Sequence, residues 1–243
     1  MEKILRIDNL CKKYKNGRGV ADISFSVEEG EIVGLLGPNG SGKTTIMKTI
    51  VGLRRYDSGS ISVFGSDPAD NSERTLKDVG ALIEQPALYD SMSPRRQMRM
   101  MARFYPSLPA GAIENALREV GLEAFGDEKV QRFSLGMKQR LGIALALFSD
   151  PKLVILDEPG NGLDIESSVA LRRRIVEMAK EDGKTFLVSS HQADEIEKMC
   201  DRVIIIYEGA LIEDISTEDA LRLSPTLEDY FLMRVREAKG GVS

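Results

Sequence analysis

Residues 37–44 read Gly-Pro-Asn-Gly-Ser-Gly-Lys-Thr, and this octet constrains the fold more than any other part of the chain. It fits the phosphate-loop template G-x-x-x-x-G-K-[ST]. The apolar run at 31–36 predicts a buried strand before the loop, and the run at 45–51 predicts a helix after it. That strand–loop–helix order is the context in which such a loop binds phosphate. We therefore predict an α/β core that binds a nucleoside triphosphate.

The chemistry of the loop follows from its residue types. Glycines allow a tight turn in which backbone N–H groups converge on phosphate oxygens, and the following helix adds the positive end of its dipole. We expect Lys43 to reach the β- and γ-phosphates and the Thr44 hydroxyl to hold Mg²⁺. The residues expected to bind the nucleotide here are Gly37, Pro38, Asn39, Gly40, Ser41, Gly42, Lys43, Thr44 and Thr45.

Composition limits the class of protein. Hydrophobic residues at 42% and charged residues at 29% are ordinary globular values. A net charge of −5 argues against sequence-independent binding of nucleic acid, which needs a basic surface. The two cysteines, Cys11 and Cys200, suit a reduced compartment.

No targeting or membrane segment is expected. The first residues carry charges where a signal peptide would be apolar. The longest aliphatic run, 203–206, is far shorter than the roughly 20 residues of a membrane helix. We therefore expect a soluble cytoplasmic protein, for which any membrane role comes through a partner.

Hydrophobic periodicity divides the chain into three kinds of structure. Period-2 runs at 4–7, 23–27 and 58–65 predict a small antiparallel sheet beside the nucleotide core. Residues 91–149 are predominantly helical in pattern. Buried-strand runs then return after Pro151, alternating with helical stretches, and this alternation predicts a parallel sheet covered on both faces. The runs are 153–156, 185–188 and 202–206, with helices at 167–180 and 192–200.

The resulting fold class is α/β, with a mostly parallel phosphate-loop (RecA-like) core. An N-terminal antiparallel β subdomain and a helical insert subdomain at about 91–149 complete it. We expect one nucleotide-binding domain over 1–223 and a short C-terminal extension over 224–243.

Two carboxylates follow the buried run 153–156, where open α/β sheets bind ligands. Asp157 is placed to hold Mg²⁺ through water, and Glu158 to polarise the attacking water as a general base. The alternative is a strand that ends in a solvated acidic turn. The phosphate loop in the same chain favours the catalytic interpretation.

Ser134 is a predicted N-cap for the helix that runs through Leu141, Leu145 and Phe148. A serine hydroxyl and free N–H groups at a helix start can bind an anion. Residue chemistry alone also allows a well-capped helix with no ligand.

The motifs together resemble the ATP-binding subunits of ABC transporters, and the resemblance covers nearly the whole chain. Ser134-Leu-Gly-Met-Lys-Gln139 looks like the signature motif of that family, and 160–164 (Gly-Asn-Gly-Leu-Asp) is similar to its D-loop, although Gly160 replaces the usual threonine. The only histidine, His191, stands where the family places its switch histidine. Tyr14 matches the aromatic residue that stacks on adenine, with an exposed strand tyrosine as the alternative.

This resemblance implies an ATPase that works as a homodimer. Two subunits meet head to tail, and ATP with Mg²⁺ lies between the phosphate loop of one and Ser134, Gly136 and Asp164 of the other. Glu158 and His191 are the implied catalytic residues. The resemblance also implies that ATP closes the dimer and that this motion is transmitted to a separate transmembrane permease.

One motif departs from the common family pattern. Aligned on Gly80 and Pro86, Glu84 stands where the family has a glutamine that contacts Mg²⁺, and Gln85 is one residue late. The glutamate variant and the tail at 226–232 resemble the subgroup that handles antimicrobial peptides and bacitracin-like drugs. A short amphipathic helix that caps the domain is the alternative for the tail.

Two stretches of the helical insert allow two interpretations. Met98, Met100, Met101 and Phe104 form either an adaptable groove for a permease helix or the core of the insert. The basic residues among them are interpreted as a solvated helix face. These are Arg95, Arg96, Arg99 and Arg103.

The functional hypothesis is therefore an ATP-hydrolysing subunit that powers export of a drug or antimicrobial peptide. The alternative is a non-transport ABC ATPase that acts as a regulatory or translation-associated module. Chromosome-type members of the family need long coiled coils, and no heptad pattern of that length is present.

Overall fold

A computed structural model describes residues 2–70 and 75–240. The N-terminal sheet consists of β1 (Lys3–Lys13), β2 (Gly19–Glu28) and β4 (Ser58–Val63). Its strands pair antiparallel in the order β2-β1-β4. Along β1 the buried Leu5, Ile7 and Leu10 are interrupted by more exposed residues, because one face of this sheet packs on the core and the other meets solvent.

The larger sheet carries the functional edge of the molecule. Its strands are β3 (Ile32–Leu36), β5 (Val79–Leu82), β6 (Leu153–Asp157), β7 (Thr185–Ser190), β8 (Arg202–Tyr207) and β9 (Ala210–Ser216). They lie in the order β5-β6-β7-β3-β8-β9, and all neighbours are parallel except β8 and β9. Every residue of β3, β6 and β7 is buried, as expected for parallel strands covered on both faces. The predicted fold class is confirmed.

Helices cover this sheet and form the insert. They are α1 (Lys43–Ile50), α2 (Pro94–Ala102), α3 (Ala112–Glu119), α4 (Leu135–Leu147), α5 (Ile165–Asp182), α6 (Ala193–Glu197), α7 (Thr217–Leu223) and α8 (Leu227–Gly240). Helix α1 packs between the two sheets, in a core with Val33, Leu35 and Ile204. Helices α2 to α4 make up the predicted helical insert. Within the described residues, no helix is both long and apolar enough to span a membrane.

The helical insert shares one continuous core with the larger sheet, and this resolves the interpretation of its side chains. Met98 is fully buried, and Met101 packs against the same core, so the core interpretation holds for them. Phe104 points to solvent and is 81% exposed. The solvated-face interpretation is wrong for Arg95, whose guanidinium bonds to Glu114, Asp127 and a backbone oxygen and so joins α2, α3 and the following turn.

Several element boundaries differ from the sequence predictions. Strands β5 and β9 were not predicted, because β5 is only four residues long and β9 contains no fully buried residue. The helix predicted at 192–200 is shorter, because α6 ends at Glu197 and turns at Cys200 into β8. The tail forms α8, which is longer than predicted and caps the domain through the buried Leu227 and Tyr230.

Arg202 ties the two sheets together. Its guanidinium bonds to Glu31, to Asp214 on β9 and to the backbone oxygen of Ser26 on β2. Burial of the guanidinium opposes its charge, but the hydrogen bonds to Glu31 and Asp214 outweigh this and raise the pKa of Arg202. The residue therefore acts as a charged cross-link beneath the N-terminal sheet.

We expect Arg202→Ala to lower the free energy of unfolding by about 2–3 kcal/mol, because hydrogen bonds between charged groups contribute about 1.5–3 kcal/mol and Glu31 is left without its cation. Urea unfolding followed by circular dichroism measures this. Arg222→Ala is the matched control, since Arg222 is 66% exposed and its ion pairs within the described residues are with Glu218 and Asp219 on its own helix. Equal losses in the two variants would contradict the cross-link.

Candidate active site

The candidate site lies where adjacent parallel strands end. Strand β7 is flanked by β3 and β6. Leu36 at the end of β3 pairs with Ser190 at the end of β7, and Asp157 at the end of β6 pairs with Ser189. The segments that follow these strands therefore meet at one edge of the sheet. Open α/β sheets bind ligands at such an edge.

The phosphate loop follows β3 and folds around the amine of Lys43. Lys43 Nζ donates to the backbone oxygens of Gly37, at 2.6 Å, and Pro38, at 3.3 Å. A Cβ on Gly37 would lie 2.2 Å from a backbone oxygen of β8, so only glycine fits there. Gly42 has φ +116° immediately before α1, a conformation that other residues rarely adopt. The buried Ser41 hydroxyl has no hydrogen-bond partner within the described chain, so it remains available to a ligand.

Thr44 and Asp157 form the candidate Mg²⁺ site. Thr44 Oγ1 donates to Asp157 Oδ2 at 2.8 Å, and Ser189 Oγ donates to Asp157 Oδ1 at 2.5 Å. Mg²⁺ prefers oxygen ligands and commonly takes only one or two from protein, with phosphates and water supplying the rest. In keeping with this, residues 2–70 and 75–240 contain no cluster of three or more His, Cys, Asp or Glu that could hold a metal ion. The residues present fit the ion.

Glu158 links the loop to the histidine. Its carboxylate lies 3.3 Å from Lys43 Nζ through Oε1 and 2.6 Å from His191 Nδ1 through Oε2. The backbone leaves the strand direction here, with φ +50°, and the Glu158 N–H donates to Ser189 Oγ at 3.0 Å. The Glu158 side chain therefore contacts Lys43 and His191. The Asp157 side chain instead contacts Thr44 and Ser189. The predicted catalytic residues are therefore in direct contact.

A cavity of about 390 Å³ connects these groups to Tyr14. The Tyr14 hydroxyl is 3.4 Å from Thr45 Oγ1, which places the ring over the start of α1. Asn16 and Arg18 also line the cavity, although the sequence interpretation missed them. Their position just after Tyr14 was the only signal that could have revealed them. The predicted residues in the lining are Tyr14, Asn39, Gly40, Ser41, Gly42, Lys43, Thr44, Thr45 and Glu158.

Ser134, Gly136 and Asp164 are absent from the lining of this cavity and form a second group. Ser134 caps α4 as predicted, because its hydroxyl accepts the N–H of Met137 at 3.2 Å. A Cβ on Gly136 would lie 2.9 Å from the backbone oxygen of Gly162, so the two motifs pack directly on each other. Asp164 caps α5, and the N–H and hydroxyl of Ser167 lower the pKa of its carboxyl group.

Glu84 does not contact Thr44 or Asp157 directly. Its carboxylate forms an ion pair with Lys48 at 2.6 Å, one helical turn beyond Thr44 on the same face of α1. Glu84 has φ +61° and is 60% exposed. The neighbouring Gln85 is also exposed. Of the predicted metal ligands, only Thr44 and Asp157 are therefore joined by a hydrogen bond.

Known proteins share these features. The family model described as ABC transporter matches residues 20–161. The bacitracin transport ATP-binding protein BcrA of Bacillus licheniformis is 40% identical over 88% of this chain and 70% of its own. The lantibiotic transport ATP-binding protein SrtF of Streptococcus pyogenes is 37% identical over 96% of this chain and 100% of its own. A solved structure of an ATP-binding subunit of an ABC transporter has a TM-score of 0.86 and 31% identity, covering 96% of this chain and 99% of that chain.

The chain belongs to the ABC transporter family. It is an ATP-binding subunit and an ATPase, as its motifs predicted. The subgroup predicted from Glu84 and the tail is also confirmed, because bacitracin and lantibiotic transport subunits are among the similar proteins.

We expect Lys43→Ala to weaken ATP binding roughly 10- to 100-fold, since a hydrogen bond to a charged group contributes about 1.5–3 kcal/mol. Isothermal titration calorimetry on the purified chain measures the affinity. Lys15→Ala is the control, because Lys15 is an exposed cation near the loop that does not line the cavity. An unchanged affinity in Lys43→Ala would refute the assignment of the loop.

Proposed function

We propose that this chain hydrolyses ATP with Glu158 as the general base and so drives export of an antimicrobial peptide or peptide-like drug through a separate permease. The observation that carries the catalytic part is the continuous contact from Lys43 to Glu158 to His191 beside the phosphate loop. The observation that favours peptide export is the identity of 37–40% to bacitracin and lantibiotic transport subunits.

Binding of ATP redistributes the charges around Lys43. In the structure its amine is satisfied by loop carbonyls and lies beside the Glu158 carboxylate. The β- and γ-phosphates carry more negative charge than a carboxylate, so they attract the amine away from Glu158. The Tyr14 ring lies at one end of the same cavity, where it can stack on adenine.

Glu158 is then free to take a proton from the attacking water. Once Lys43 has turned to the phosphates, the Glu158 carboxylate is available to accept a hydrogen bond from the attacking water. His191 Nδ1 at 2.6 Å fixes the direction of the carboxylate. Thr44 and Asp157 would hold Mg²⁺, which would supply charge neutralisation at the nucleotide phosphates when bound. Phosphoryl transfer depends mainly on such positioning and electrostatics.

The other half of the site comes from a second copy of the chain. Ser134, Gly136 and Asp164 do not line the cavity of their own subunit, so they remain free to face the nucleotide of a partner. The N–H groups and hydroxyl at the start of α4 suit the γ-phosphate. A head-to-tail homodimer closes around ATP in this arrangement. Closure then moves a permease, which places the complex at the inner face of the membrane.

Glu158→Gln should keep nucleotide binding and lose turnover. The amide retains the shape of the side chain but cannot accept the proton, and loss of general-base catalysis typically costs roughly 10²–10⁴-fold in kcat. Phosphate release and calorimetry measure the two properties. The control is Glu181→Gln, an exposed glutamate near the end of α5, which leads into the opposite end of β7. Hydrolysis at the wild-type rate in Glu158→Gln would remove Glu158 from the mechanism.

The export proposal is tested in cells that express the chain with its permease. The wild type should protect against at least one member of a panel of peptide antibiotics, and Glu158→Gln should not. If the purified complex hydrolyses ATP but the cells resist no peptide, the substrate proposal is wrong while the ATPase mechanism stands.

A further inference from the structure

Glu195 lies in the first turn of α6, four residues after His191, and contacts the segments on both sides of the catalytic pair. Its Oε2 accepts the hydroxyl proton of Ser190 at 2.8 Å. Ser190 Oγ in turn accepts the N–H of Gln192 at 3.0 Å. These two bonds span the turn 190–195, from which the His191 side chain projects. Ser190 is fully buried, so its hydroxyl depends on the Glu195 carboxylate as its acceptor.

The other carboxylate oxygen of Glu195 packs against Gly160. A Cβ at position 160 would lie 2.5 Å from Glu195 Oε1, so the glutamate occupies the space that a larger residue would fill. Gly160 is two residues after Glu158 and begins the segment that ends at Asp164. The Glu195 carboxylate would have to move to make room for a side chain at position 160. One carboxylate thus contacts both the histidine turn and the segment after Glu158.

Glu195 is held by a hydrogen bond from Ser190 and not by a cation. Glu195 adds a negative charge close to the segment that contains Asp157 and Glu158. In the described part of the chain, no lysine, arginine or histidine nitrogen forms a salt bridge with it. The hydrogen bond from Ser190 is what holds the charge in place.

We propose that Glu195 is a positioning residue for ATP hydrolysis. It fixes the turn that carries His191, through Ser190, and sets the distance between that turn and the segment 160–164. His191 then holds the Glu158 carboxylate in the direction that hydrolysis requires. This inference rests on the proposed roles of Glu158 and His191, and it assigns to Glu195 no contact with ATP.

The test compares Glu195→Ala with Glu195→Gln in steady-state ATP hydrolysis. Glu195→Ala should lower kcat roughly 10- to 100-fold, because displacing a catalytic group by about 1 Å can lower the rate about 10²-fold. KM and ATP affinity should stay within about threefold of the wild type. Glu195→Gln should restore kcat to within about threefold of the wild type, because the amide oxygen still accepts the Ser190 proton. A merely structural residue would lower ATP affinity and the melting temperature together, without this split.

Asp194→Ala is the matched control, because Asp194 lies in the same turn, is 63% exposed and forms its ion pair, among residues 2–70 and 75–240, with Lys198. It should hydrolyse ATP like the wild type. Gly160→Ala is a second variant, independent of the glutamate itself, and should lower kcat in the same direction by displacing the carboxylate. Wild-type kcat in both Glu195→Ala and Gly160→Ala would overturn the proposal.

A double-mutant cycle separates this inference from the proposed function. In the Ser190→Ala background, Glu195→Ala should lower kcat by less than about twofold more, since the two residues act through one hydrogen bond. Fully additive losses would overturn the positioning role. If Glu158→Gln hydrolyses normally, the proposed mechanism fails. If Glu158→Gln is inactive and Glu195→Ala is normal, only the inference about Glu195 fails.

Discussion

The alignment of the ends of β3, β6 and β7 is the constraint on which the rest of the site depends. Every residue of these strands is buried, and the hydrogen-bond ladder fixes their register. A shift by one residue would turn buried side chains to the wrong face. The loop, the acidic pair (Asp157 and Glu158) and the histidine turn follow directly on these strand ends, so the strand register places them together. The fixed register holds the Lys43 amine and the carboxylates of Asp157 and Glu158 at the same edge of the sheet.

In the proposed dimer, the same constraint divides the catalytic groups between two copies of the chain. The phosphate loop and Glu158 meet at the sheet edge, while the capped start of α4 packs on the segment 160–164 and does not line the cavity. A second copy of α4 would complete the site, so the proposal makes hydrolysis depend on association and couples ATP to motion.

Sequence patterns revealed the parts of the site that depend on local geometry. The phosphate loop, the acidic pair after β6 and the serine cap of α4 each need particular residues at fixed spacing. Contacts between distant segments had no such signal. The pair Lys48–Glu84 and the cross-link through Arg202 exist only because tertiary packing brings their segments together. Arg95 was misinterpreted for the same reason, since its partners lie on another helix and a later turn.

The most direct test of the shared site mixes two inactive variants. Ser134→Arg blocks the helix start that faces the partner, and Lys43→Ala disables the phosphate loop of its own chain. Each variant alone should hydrolyse little ATP at any concentration. A mixed dimer contains one complete site, built from the loop of the first variant and Ser134 of the second, so ATPase activity should reappear on mixing and rise with protein concentration. A mixture no more active than its components would contradict the account.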